Sequence, residues 1–282
     1  MKKGLILEGG AMRGLFSAGV MDAFLEKKLS FDGVIGVSAG AAFGCNYVSH
    51  QTGRVLRYNT RFSRDKRYCS LRSLIKTGDL YNADFCYHQI PEHLDVLDTE
   101  TFIRNPTAFW VVCTDVLTGK PVYQKLEKMD YTDLEWMRAS ASMPLASKIV
   151  RIGSFKLLDG GIADAIPVGY FETLGYDRNV VILTRPEGYR KKKTKFLALF
   201  KIAFKKYPKL IDALERRHEV YNETLEYIAQ KEKNGDLIAI RPPCALPIGK
   251  VEHNAEKMRA VHAIGYKTGL EYAERISAFL KQ

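Results

Sequence analysis

Short apolar runs rich in Val, Ile and Leu alternate along this chain with longer stretches in which apolar positions recur every three or four residues. That is the pattern of strands interleaved with helices. Gly4 to Glu8 reads as a buried strand, and Leu15, Val20, Phe24 and Leu25 predict a helix to about Leu29. Gly33 to Val37 follows as a second strand and Ala39 to about Val48 as a second helix, rich in small residues. Such a β-α-β-α opening builds a parallel sheet with helices on its faces. Further strands are predicted at Ala108 to Thr114, Pro121 to Leu126, Phe155 to Leu158, Val180 to Leu183 and Leu237 to Ile240, and further helices at 133–141, 167–174, 208–231 and 255–280. No fixed-period repeat interrupts the pattern. The expectation is one α/β domain over 1–282, with mainly helical insertions at about 54–100 and 186–234.

Composition narrows the class. With 46% hydrophobic and 27% charged residues, disorder and fibrous repeats are excluded. No apolar run approaches the length of a membrane span, and Leu5-Ile6-Leu7 is stopped by Glu8, which argues against a span and against a secretory signal. The five cysteines are odd in number and form no C-x-x-C pair. A reducing cytoplasm fits them best. His50, His88 and His93 make no ligand spacing with Cys86 or Glu92, so no metal is assigned.

Charge adds a partner. The net charge is +11, yet residues 54–76 alone carry +7 and residues 190–217 carry +9, leaving the remainder at −5. Such concentration suits a face that meets a polyanion. Within the second segment Phe196, Leu199, Phe200, Ala203 and Phe204 follow helical spacing, with Lys201 and Lys205 beside them. That predicts a helix able to lie on an anionic membrane, aromatic side down, or else to pack that face on the core. No aromatic RNA-binding motif is present, and nucleic acid is not expected as a partner.

Three glycine-rich motifs follow predicted strands. Gly36-Val37-Ser38-Ala39-Gly40 is a G-x-S-x-G between a strand and a helix. A serine on that tight turn is held in a strained conformation at a helix start, presented as a nucleophile, while its small neighbours let the chain double back. Gly9-Gly10-Ala11-Met12-Arg13-Gly14 offers main-chain N–H groups to an oxyanion or a phosphate. It lacks the third glycine of a dinucleotide fingerprint and the Gly-Lys-Ser/Thr of a P-loop. Asp159-Gly160-Gly161 closes a strand, where a carboxylate can meet Ser38 at one sheet edge and serve as its base.

Taken in this order, the three motifs resemble those of the patatin-like phospholipases, lipid acyl hydrolases with a Ser-Asp dyad and no histidine. The resemblance runs from about Lys2 to Val168 and includes the block Ala139-Ser140-Ala141-Ser142-Met143-Pro144. It implies a three-layer α/β/α sandwich with a mainly parallel central sheet. It also implies Ser38 as nucleophile, Asp159 as base and Gly9 to Gly14 as oxyanion loop. Ala11 stands where the family usually has its third glycine. The implied substrate is a lipid or other fatty-acyl ester, cleaved without a cofactor, in the cytoplasm or peripherally at the inner membrane face.

Two other readings compete. A Ser-His-Asp esterase acting on soluble esters would draw its histidine from His218, His253 or His262, all downstream of Asp159, though none lies in a glycine-containing loop after a strand. A non-enzymatic module would keep the scaffold and bind anionic lipid through 190–217. Ser140 and Ser142 are rival nucleophiles to Ser38.

Overall fold

The structure is a computed structural model and describes residues 1–281. Strand β1 (Lys2–Leu7) leads through α1 (Gly14–Glu26) to β2 (Gly33–Val37) and α2 (Ala39–Val48). Helices α3 (Arg54–Phe62) and α4 (Leu71–Thr77), a π-helical stretch (Phe85–Leu94) and α5 (Thr99–Arg104) fill the first insertion. Then come β3 (Ala108–Asp115), β4 (Pro121–Leu126), α6 (Tyr131–Ser140), β5 (Val150–Ile152), β6 (Phe155–Asp159), α7 (Val168–Thr173) and β7 (Tyr176–Ile182). The chain ends with α8 (Leu197–Ala203), α9 (Pro208–Asn234), β8 (Leu237–Ile240) and α10 (Ala255–Phe279).

One mixed sheet of eight strands runs β5-β6-β3-β2-β1-β7-β8, with β4 also on β3. The five strands from β3 to β8 in that order are parallel, while β4, β5 and β6 join antiparallel at one end. Alternation in β1 assigns its faces: Leu5 and Leu7 enter one core with residues of α1, α2 and α10, and Ile6 enters another with Phe171, Tyr221 and Ile228 of α7 and α9. Helices therefore cover both faces.

Register on β3 decides where the site forms. Strand β4 pairs with Phe109 through Thr114, occupying one edge of β3. Strands β2 and β6 must then share the other edge, end to end, and they do so on consecutive residues: Val37 lies opposite Val112, and Asp159 opposite Cys113. The residue after β2 and the last residue of β6 are brought to one point, although 121 positions separate them in sequence.

Two expectations about the basic segments change. Arg54 is not a surface charge: it is 3% exposed and faces Asp95 at 3.3 Å, so part of the first segment is neutralised internally. The amphipathic stripe at 196–204 splits. Phe204 is buried beside Leu210 and Leu214 with Phe200 against them, whereas Phe196, Leu199 and Ile202 are 63%, 47% and 73% exposed. Short β5 escaped the pattern because three residues carry too little periodicity to register.

Candidate active site

The turn after β2 is strained where the motif demands it. Ser38 has φ 56° and ψ −119°, a left-handed conformation that costs a residue with a Cβ about 1–3 kcal/mol. Gly40 lets helix α2 start flush against β1, since a Cβ there would lie 2.4 Å from the Leu7 carbonyl oxygen. Where β2 turns away from β3, a hydroxyl takes the place of the next rung of the ladder. The Ser38 N–H donates to Ser140 Oγ at 2.9 Å, and Ser140 Oγ–H donates to the Val112 carbonyl at 2.6 Å.

Ser140 is thus a brace for the turn, not a free nucleophile. Ser142 is engaged too: its hydroxyl donates to the Arg138 carbonyl at 2.8 Å and its own carbonyl accepts the Asp159 N–H at 2.8 Å. The two rival serines hold Ser38 and Asp159 in position. Ser140→Ala leaves a buried N–H and C=O unbridged, and we expect it to lower unfolding stability by about 1–3 kcal/mol in denaturant titration, with Ser140→Thr costing less.

Asp159 ends β6 and is buried. Its Oδ1 accepts the Gly161 N–H at 2.8 Å, and the nearby Ser38 hydroxyl favours its charged form. Burial dominates and raises the carboxyl above its ordinary value, opposed first by Arg217 and then by Ser38 and Gly161. Arg217, on α9, is fixed there by a hydrogen bond from its Nε to the Gly161 carbonyl.

Gly9 to Gly14 pass beneath the same point. Arg13 N–H closes a tight turn on the Gly10 carbonyl at 3.2 Å, while the N–H groups of Gly9, Gly10 and Ala11 have no protein acceptor among the described residues. A Cβ at Gly9 would lie 2.9 Å from Ser38 Cβ and 2.9 Å from the Val37 oxygen, so this main chain rests directly on the serine. Ala11 has φ 49°, the left-handed conformation that a glycine would adopt without cost. The loop entrance is tied down by Glu8, whose Oε2 accepts the Thr184 N–H at 2.5 Å and hydroxyl at 3.0 Å, and whose Oε1 accepts the Tyr221 hydroxyl at 2.6 Å. Sequence reasoning took Glu8 only as the end of a strand, because its partners lie more than 170 residues away.

A pocket of roughly 1110 Å³, open mouth included, reaches from Ser38 between the first insertion and α6, lined by Met12, Phe43, Tyr58, Tyr81, Leu134 and Met143 among others. No histidine lines it among the described residues. His262 pairs with Asp22 at 2.8 Å, and His253 and His218 contact the carbonyls of Ser63 and Glu215 at 2.5 and 3.0 Å. None of these contacts involves Ser38 or Asp159.

Comparison with known proteins assigns the chain to a family. The family described as Patatin-like phospholipase matches residues 5–172, and a family described as a domain of unknown function (DUF6363) matches residues 207–281. The uncharacterized protein YjjU of Escherichia coli (strain K12) is 30% identical over 192 residues, covering 64% of this chain and 52% of its own. Lysophospholipase nte1 of Aspergillus terreus is 26% identical over 97% of this chain and 18% of its own. The chain therefore spans about half the length of the first relative and under a fifth of the second. The crystal structure of VipD from Legionella pneumophila overlays with a TM-score of 0.47 at 13% identity, covering 97% of this chain and 67% of VipD. A match that takes in more than half of the chain, including all three glycine-rich motifs, means that this protein belongs to the patatin-like phospholipase family.

Proposed function

We propose that this protein hydrolyses carboxylic esters of lipids through a Ser38-Asp159 dyad, without a cofactor. The observation that carries the reading is the end-to-end meeting of β2 and β6 on β3, which brings a strained hydroxyl and a buried carboxylate together beside unsatisfied main-chain amides. Asp159 accepts the Ser38 proton as Oγ attacks the ester carbonyl, and the amides of the Gly9 to Gly14 loop hold the oxyanion. Collapse expels the alcohol, which takes the proton from Asp159. Asp159 then takes a proton from water, the resulting hydroxide attacks the acyl-enzyme, and as the fatty acid departs Asp159 returns the proton to Ser38. The apolar pocket takes the acyl chain. A fluorophosphonate probe should label the folded protein at Ser38 and not at Ser140 or Ser142, read by peptide mass spectrometry. Absence of labelling would favour a non-enzymatic lipid-binding module instead.

The same reading includes contact with an anionic lipid surface through 190–217. It is supported by the exposed Phe196, Leu199 and Ile202 of the α8 segment and by the lysines around them. No helix among the described residues is long and apolar enough to cross a membrane. Ile202→Glu should reduce co-sedimentation with phosphatidylserine-containing liposomes by about fivefold, and raised salt should weaken binding of the native chain. Binding indifferent to both would remove this surface from the proposal.

A further inference from the structure

Five basic side chains gather around the site: Arg217, Lys191 and Lys250 act on Asp159, Arg13 and Lys191 on Glu8, and Arg185 on Arg13 and Lys250. Arg13 belongs to the glycine-rich loop, but Arg185, Lys191, Arg217 and Lys250 all come from the chain beyond residue 172, where the patatin-like match ends. Arg185 and Lys191 lie between β7 and α8, Arg217 on α9, and Lys250 between β8 and α10. Lys191 is within electrostatic range of Arg217, Glu8, Asp159 and Arg13, and Lys250 within range of Arg217, Arg13, Asp159 and Arg185.

None of the five forms an ion pair with a carboxylate among the described residues, although Arg190 and Lys193, on either side of Lys191, do so with Glu226 and Glu215. Glu8 makes no direct ion pair with them, its oxygens being taken by Thr184 and Tyr221. Lys191, Arg185 and Arg217 are held rather than loose. Asn222 of α9 clamps the Lys191 main chain, accepting its N–H at 2.8 Å and donating to its carbonyl at 3.0 Å. Lys191 Nζ stands 3.9 Å from the centre of the Tyr221 ring, and the Arg185 guanidinium 4.5 Å from that of Tyr189. Arg13 Nε is buried with no hydrogen-bond partner among the described residues.

We propose that Arg185, Lys191, Arg217 and Lys250 form a receptor for a dianionic phosphate group beside the Ser38-Asp159 pair. The preferred ester is then one whose headgroup ends in a phosphomonoester. This rests on the hydrolase reading and assigns its substrate class. The charge count selects the dianion: five cations around two carboxylates leave an excess of three, which a dianion reduces to one. A zwitterionic or neutral headgroup leaves the excess in place, and like charges gathered out of water are costly. Burial and repulsion together show in the lysines. Burial, then Arg217, holds the Lys191 ammonium down to about 7, and burial, Arg217 and Arg13 lower Lys250 as well. The requirement is for a charge-assisted partner, and phosphate oxygens suit the guanidinium forks of Arg185 and Arg217.

The full chain is assayed on lysophosphatidic acid and on monoacylglycerol of the same acyl chain, in neutral detergent micelles, as wild type and as Lys191→Met and Lys250→Ala. Binding of inorganic phosphate is measured by calorimetry on the same three proteins, each checked for an unchanged circular dichroism spectrum. The expected result is at least about a tenfold kcat/KM preference for the phosphomonoester, falling about fivefold or more in each variant. Phosphate binding that weakens in the variants, without a lipid preference, would assign the receptor to free phosphate. A preference near one together with no phosphate binding would overturn the proposal. Should the wild type cleave neither ester, the hydrolase reading fails, and the calorimetry alone decides whether the receptor exists.

Discussion

Asp159→Asn is expected to lower kcat on a p-nitrophenyl fatty ester by about three orders of magnitude, and Ser38→Ala by at least as much. The asparagine keeps the size of the side chain and can still accept the Gly161 N–H through its amide oxygen, so the turn survives. What it loses is the capacity to take a proton. The pH profile distinguishes that loss from misfolding. Burial raises the Asp159 carboxyl above 3.8, and only the ionised form can act as base. Wild-type activity should therefore be present above that raised value and disappear as acid titrates the group, whereas the residual activity of Asp159→Asn should lack this limb. Histidine variants supply the contrast. His218→Gln, His253→Gln and His262→Gln should each leave kcat within about threefold per folded molecule, because their contacts lie with Glu215, Ser63 and Asp22. A histidine variant as damaging as Asp159→Asn would overturn the dyad in favour of a Ser-His-Asp esterase.

The placement of Ser38 and Asp159 at strand ends was legible in the chain through local chemistry. A G-x-S-x-G or an Asp-Gly-Gly at a strand end writes its geometry within five residues. The β-α-β-α opening was legible for the same reason, since periodicity is a local property. Ser140 was not, because its role is fixed by the Val112 carbonyl and the Ser38 amide, 28 and 102 positions away. Read locally, it is a serine near a helix end. Glu8, Arg217 and Lys191 were hidden alike: each acquires its setting from α9, whose register against the sheet no short window encodes. The split stripe at 196–204 shows the converse limit. Spacing correctly predicts a helix there, but which apolar residues face inward depends on Leu210 and Leu214 of the next helix.

Gly9→Ala should cut kcat by about a hundredfold or more while leaving KM for a fatty ester within a few-fold. The added methyl would sit 2.9 Å from both Ser38 Cβ and the Val37 carbonyl oxygen. No side-chain rotation relieves a clash with a Cβ and a main-chain atom. Either the loop lifts away from Ser38 and takes its unsatisfied amides out of reach of the oxyanion, or Ser38 shifts from its line of attack. Both act on the transition state. In the proposed mechanism the acyl chain lies against Phe43, Tyr58, Leu134 and their neighbours, which the methyl does not touch, so KM should be spared. Overpacking of this kind costs about 1–3 kcal/mol, measurable as a lowered melting temperature but small beside the kinetic loss. Ala11→Gly serves as the counterpart two residues on. It places a glycine where φ is already 49°, and stability should stay within about 1 kcal/mol as relief of strain offsets the added chain entropy. If Gly9→Ala instead lost stability and kept its kcat, the loop would be a packing element, and the oxyanion would need other donors.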